Sequence, residues 1–192
     1  CESVQIAHDN GAKQFSFTFI IDNDDAEEKD LAYLQKHDPI KLVSDFISQI
    51  DKLSAITDDW WVEYSFPMCV YTEEQLKLLK GRLATPCQIH LKNAVTFNTK
   101  MELLPCDMYI YQQLGKFGRD FSSYQEFLSL TESANYSKTM DEIRKLPSDE
   151  CTACEHFGVC YGGCPVLWKN YSFTALKEFK AKGTPNSGFS GE

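Results

Sequence analysis

The sequence is short of positive charge. Nineteen lysines and arginines face 28 aspartates and glutamates, for a net charge of −9. No basic stripe gathers along the chain, so no nucleic-acid partner is expected. No polybasic segment offers a grip on an anionic membrane. Long apolar runs are missing too. The longest, residues 15–21, is of strand length, well below the roughly 18–20 residues of a membrane helix. A membrane partner is therefore not expected either. A Ser-His-Asp arrangement, a phosphate-binding loop and a dinucleotide fingerprint are all lacking. Hydrophobic residues make up 43% and charged residues 24%, ordinary globular usage that excludes a disordered chain. With 192 residues there is room for one domain or two small ones, and for burying roughly 70% of the unfolded surface.

What the sequence does have is cysteine. There are eight, and four of them crowd into residues 151–164 as Cys151, Cys154, Cys160 and Cys164. Cys1, Cys69, Cys87 and Cys106 are scattered upstream.

Residues 3–13 read as the end of a helix, with Gly11 as its stop. The chain is thus expected to begin inside a larger fold. Phe15, Phe17, Phe19 and Ile21 alternate, which predicts a strand with one apolar face. Residues 22–30 hold six acidic side chains and read as a solvated loop. Asp38-Pro39 is a cap with proline at the first helical position. From there Ile40, Val43, Phe46, Ile47, Ile50 and Leu53 keep helical spacing on one face. Residues 60–66 read as a second strand, ended by Pro67. Thr72 and Gln75 form a capping box opening a helix to about Leu83. Residues 1–84 therefore alternate helix and strand, the pattern of βα units in a parallel sheet or a piece of a barrel. Two strands do not close a barrel, so this portion is expected to dock on something outside it or to be a fragment.

After residue 85 the pattern changes toward α+β. Residues 90–97 and 101–105 predict a β-hairpin, with Asn98 at a turn that tolerates left-handed geometry. Cys87 stands before its first strand and Cys106 at the end of its second. Short helices are expected over residues 122–130 and 140–146. Residues 180–192, with Gly183, Pro185, Gly188 and Gly191, read as a loose tail.

The cysteine run has the form CxxCxxxxxCxxxC. Thiolates so spaced on an irregular loop can converge on one metal centre. Gly158, Gly162 and Gly163 would let the backbone turn tightly enough for the sulfurs to meet. Backbone N–H groups freed in such turns commonly bond to cluster sulfurs. Iron–sulfur ligation, structural zinc and a disulfide framework all remain open on spacing alone.

Cys151, Cys154, Cys160 and Cys164, with Gly162-Gly163 before the last and Pro165 after it, resemble the signature of the SPASM domain. That domain is the C-terminal extension of many radical S-adenosylmethionine enzymes that modify peptides and proteins. Cys87 and Cys106 resemble its upstream pair flanking a hairpin, and Leu104-Pro105-Cys106 fits the end of the second strand. Residues 85–168 carry the likeness. Residues 7–84 look like the last βα units of the enzyme's partial TIM-like barrel, and Phe66-Pro67-Met68-Cys69 like the strand end before the SPASM region.

The resemblance implies a C-terminal portion of a longer enzyme: barrel units over 1–84, an auxiliary-cluster domain over 85–179 and a tail over 180–192. It implies one or two clusters of the [4Fe–4S] type. The first would take Cys87, Cys106 and Cys164, the second Cys151, Cys154 and Cys160. Cys69 is the candidate fourth ligand of the first, and His156 could complete a site. The implied partners are a peptide or protein substrate and the missing radical-generating portion, in a reducing cytoplasm. S-adenosylmethionine would bind only the full-length parent, because this chain has no CxxxCxxC. Two departures stand out. Met101 occupies the position where the family usually has glycine, five residues before the hairpin's second cysteine. Nothing after Cys164 is a cysteine, whereas the family places its last ligand there. A zinc-binding interaction module and a standalone iron–sulfur electron carrier are the rival expectations.

Overall fold

The computed structural model describes residues 1–19, 36–63, 66–84 and 86–182. The acidic run at 22–30 lies outside the described residues. The chain forms two compact units. One takes in Cys1–Thr85 together with Pro147–Glu192, the other Pro86–Leu146. The cysteine-rich loop falls with Cys1–Thr85 and not with the hairpin.

In the first unit, helix α1 (Glu2–Asp9) leads past Gly11, at φ 97°, into strand β1 (Phe15–Thr18). β1 pairs in parallel with β2 (Trp60–Glu63), Phe15 opposite Trp60 and Phe17 opposite Val62. Parallel pairing requires a crossover. Its described part includes helices α2 (Pro39–Ile47) and α3 (Ile50–Ser54). The Asp38 side chain accepts from the N–H groups of Ile40 and Lys41, so the predicted cap forms. The expected single helix breaks in two at Ser48 and Gln49. There Ser48 Oγ donates to the Asp45 carbonyl at 2.6 Å, a local bond that competes with the helical ladder.

Beyond β2, a 3₁₀ turn (Met68–Val70) follows Pro67. The Thr72–Gln75 capping box opens helix α4 (Glu73–Leu78). α4 stops five residues short of Leu83, since Gly81 turns left-handed at φ 78°. Leu83 instead bridges Val62 in parallel. Val43, Leu53, Val62, Val70 and Leu79 are almost fully buried, with Tyr171, Leu176 and Phe179 from the end of the chain in the same core. Phe17 and Phe46 pack against Trp60 edge-on.

The second unit corrects the predicted hairpin. Gln88–Leu91 is a helical turn, α5, ended by Lys92 at φ 55°. Cys87 therefore precedes a helix, and strand β3 shrinks to Thr96–Phe97. β3 pairs antiparallel with β4 (Glu102–Leu104). A third strand, β5 (Gly115–Lys116), pairs with β4 on its other side. Asn98 supplies the turn through its side chain, whose Oδ1 accepts from Lys100 and Glu102 N–H. The left-handed residue, however, is Met101, at φ 58°.

An unbranched side chain in that conformation costs about 1–2 kcal/mol, from which glycine is exempt. Met101 is exposed, so truncation sacrifices little burial. Met101→Gly is expected to stabilise the chain by about 0.5–1 kcal/mol after the flexibility of glycine in the unfolded state is subtracted. A raised urea midpoint at unchanged slope checks it.

Helices α6 (Tyr124–Thr131) and α7 (Ala134–Ile143) complete this unit, capped by Ser123 and Ser133. α7 starts six residues before the expected Met140. Back in the first unit, α8 (Phe157–Cys160), α9 (Leu167–Asn170) and α10 (Phe173–Lys182) close the described chain. The predicted tail from residue 180 is thus helical through Lys182. No helix among the described residues is long and apolar enough to cross a membrane.

Candidate metal centre

The cysteine loop begins with a 3₁₀ turn (Asp149–Ala153) capped by Ser148, whose hydroxyl accepts from Glu150 N–H. The N–H of Cys154 then donates to the Cys151 carbonyl at 3.2 Å, and that of Phe157 to the Cys154 carbonyl at 3.0 Å. These closely spaced turns carry Cys151 and Cys154. α8 carries Cys160, and the chain reverses immediately after it. Tyr161, Gly162 and Gly163 take φ values of 48°, 79° and 76° in succession. Gly162 and Gly163 therefore take the tight turn geometry that glycine permits. Gly158 does not, since it sits in α8 without left-handed geometry.

Cys69, Cys151, Cys154 and Cys160 all line one cavity of about 480 Å³. Cys160 is buried, 8% exposed, and its Sγ accepts a hydrogen bond from the Met68 N–H at 3.4 Å. A sulfur-directed N–H was expected from the glycine turns; it comes instead from 92 residues upstream. Burial pushes the Cys69 thiol up to about 11, with Cys160 and Cys151 adding to the shift and Lys180 opposing it. Cys69 is nevertheless exposed as a residue. Burial also raises the Cys151 thiol, with Cys160 and Cys154 contributing. These mutual effects place the four groups within electrostatic reach of one another.

Cys164 does not line this cavity. Cys87 and Cys106 belong to the other unit and lie near each other. There burial raises the Cys106 thiol, and Asp107 and Cys87 add to it. None of the eight cysteines is in a disulfide. His156 lines the cavity with the four cysteines. Its Nε2 is 3.4 Å from Glu73 Oε1.

Lys180 is a cavity residue that sequence reasoning missed. Its Nζ donates to the carbonyls of Cys69 and Tyr71 at 2.7 and 2.9 Å, tying α10 to the turn that carries Cys69. Trp168 Nε1 donates to the Gly162 carbonyl at 2.6 Å, which steadies the reversal after Cys160.

The donor set suits a thiolate-ligated group. A single tetrahedral zinc at about 2.3 Å from each sulfur holds the sulfurs roughly 3.8 Å apart. Among the described residues, no three cysteine sulfurs lie within 4.8 Å of one another. The ligand atoms of Glu73, Glu155 and His156 do approach that closely, with both carboxylates exposed. No family model, curated protein or solved structure matches the chain.

Proposed function

We propose that this chain is the auxiliary iron–sulfur portion of a radical S-adenosylmethionine enzyme that modifies a peptide or protein, residues 1–84 being the last βα units of its partial barrel. The observation that carries it is the set of four cysteines around one cavity, the most buried of them receiving a backbone N–H. The parallel pairing of β1 with β2 is compatible with βα units. In this reading Cys151, Cys154 and Cys160 hold one [4Fe–4S] cluster, and Cys87 and Cys106 belong to another.

A bound cluster supplies one-electron transfer and, at an iron without a protein thiolate, a coordination position for a substrate atom. The chain's own contribution is to fix and tune. Met68 N–H holds Cys160 Sγ and withdraws charge from it. Lys180 sets positive charge on the cavity wall against the thiolates, whereas Lys177 is paired with Glu150 of the same wall. Trp168 and Phe173 shield the same wall, and an apolar shell of this kind limits solvent access. Without CxxxCxxC the 192 residues are expected not to cleave S-adenosylmethionine. Clusters of this type match a reducing cytoplasm.

Anaerobic reconstitution, iron and sulfide counting and Mössbauer spectroscopy test the proposal. A brown protein with about eight irons per chain is expected for two cubane clusters. A colourless protein with stoichiometric zinc and no iron after anaerobic expression would sink it.

A further inference from the structure

We propose that Cys69 is the fourth protein ligand of the metal group held by Cys151, Cys154 and Cys160. Cys69's role rests on the iron–sulfur reading above. Three thiolates leave one corner of a cubane without protein, and the CxxCxxxxxC run contains only those three. Its cavity contains a fourth thiol, delivered from an element more than 80 residues upstream.

The delivery is built into the fold. Pro67 precedes the 3₁₀ turn, and the Val70 N–H closes that turn on the Pro67 carbonyl at 2.9 Å. Val70 anchors the turn in the core, 2% exposed. Met68, the residue before Cys69, is bonded through its N–H to Cys160 Sγ. The carbonyl of Cys69 itself is held by Lys180. The peptide carrying Cys69 is thus fixed from both sides, once by a proposed ligand and once by α10.

Of the other donors on this cavity, His156 is engaged with Glu73. Glu73 and Glu150 carry oxygen ligands that iron–sulfur clusters seldom use, whereas thiolates are their usual ligands. This assigns Cys69 to a different cluster from the first one, of Cys87, Cys106 and Cys164, for which the resemblance made it a candidate.

The test uses the full chain carrying Cys87→Ala and Cys106→Ala, so that one cluster remains. Reconstituted anaerobically, it is expected to hold about four irons and to give no [3Fe–4S] signal in electron paramagnetic resonance after mild oxidation. Adding Cys69→Ala is expected to lower the count to about three and to produce that signal, because the iron without a protein thiolate is lost. Adding His156→Ala is expected to change neither. Should Cys69→Ala fold poorly, the nearly isosteric Cys69→Ser carries the test through a shifted reduction potential and altered spectrum of the reduced cluster. Unchanged iron, spectrum and potential in the Cys69 variants overturn the assignment, as does fourth-iron loss in His156→Ala instead. If the chain with all eight cysteines takes up no iron, the iron–sulfur reading itself falls, and this assignment with it.

Discussion

Cys160→Ala is expected to cut bound iron from about eight to about four per chain, a larger loss than at Cys69, because the buried Cys160 also anchors the Met68 turn to the loop. Cys160 is the hub of its cavity. It is buried, it accepts the Met68 N–H, and it acts electrostatically on both Cys69 and Cys151. Removing its sulfur takes away one thiolate and leaves the Met68 amide without its acceptor, a loss of about 1–3 kcal/mol when such a group is desolvated. Metal binding free energy is folding free energy where the site does not exist in the unfolded chain. The loaded variant should therefore melt closer to the metal-free protein than the parent does. Cys106→Ala is expected to remove the other half of the iron, and Cys1→Ala none. Iron analysis and the Mössbauer area of each variant are the measurements. Full iron in Cys160→Ala, with an unaltered spectrum, would refute the ligand assignment.

The features legible in the sequence were local ones. Asp38 followed by Pro39 announces a cap, and Thr72 with Gln75 a capping box, because each motif is completed within four residues. The alternation of Phe15, Phe17 and Phe19 shows the inner face of β1 for the same reason. Elements shorter than one period were not legible. Gly115–Lys116 has no alternation to read, and its pairing with β4 is visible only in space. Residues 90–97 mislead because His90 and Leu91 belong to a helical turn whose exit at Lys92 is left-handed, a conformation that lysine does not signal. α10 had a usable signal that the glycines of the tail masked. Ser172 accepts from Ala175 N–H, and Phe173, Leu176 and Phe179 follow at helical spacing.

The candidate site divides the same way. Spacing pointed to Cys151, Cys154, Cys160 and Cys164 as one group, since they are near in sequence; the first three line one cavity and Cys164 does not. It could not point to Cys69 or Lys180. Their approach to the loop depends on how the 3₁₀ turn and α10 pack, and both contacts join residues roughly 80 or more positions apart. Gly158 shows the reverse error. It sits among the loop glycines yet needs no glycine conformation, so composition overstated its role.

Gly163 is where sequence motif and tertiary packing meet, and Gly163→Ala is expected to be the most destabilising of the small substitutions. Two costs add. The backbone holds φ 76°, which penalises any L side chain by about 1–2 kcal/mol. A Cβ there would stand 2.8 Å from Pro67 Cγ and 3.2 Å from Pro67 Cα. The ring is rigid and its backbone leads directly into the Cys69 turn, so neither atom yields cheaply; overpacking of this kind costs about 1–3 kcal/mol. Together they predict a loss of roughly 2–5 kcal/mol, or on the order of 10 °C in melting temperature for a chain of this length. The displacement falls between Cys160 and Cys164, so iron retention should drop with stability. Gly158→Ala is the matched control. Its Cβ meets nothing within 4 Å, and alanine is favoured over glycine inside a helical turn by about 1 kcal/mol. That variant should be as stable as the parent or more so, with full iron. Thermal melts of both variants decide the matter. Equal stability of Gly163→Ala and the parent would mean that the loop does not rest on Pro67, and the route by which Cys69 reaches the cavity would lose its support.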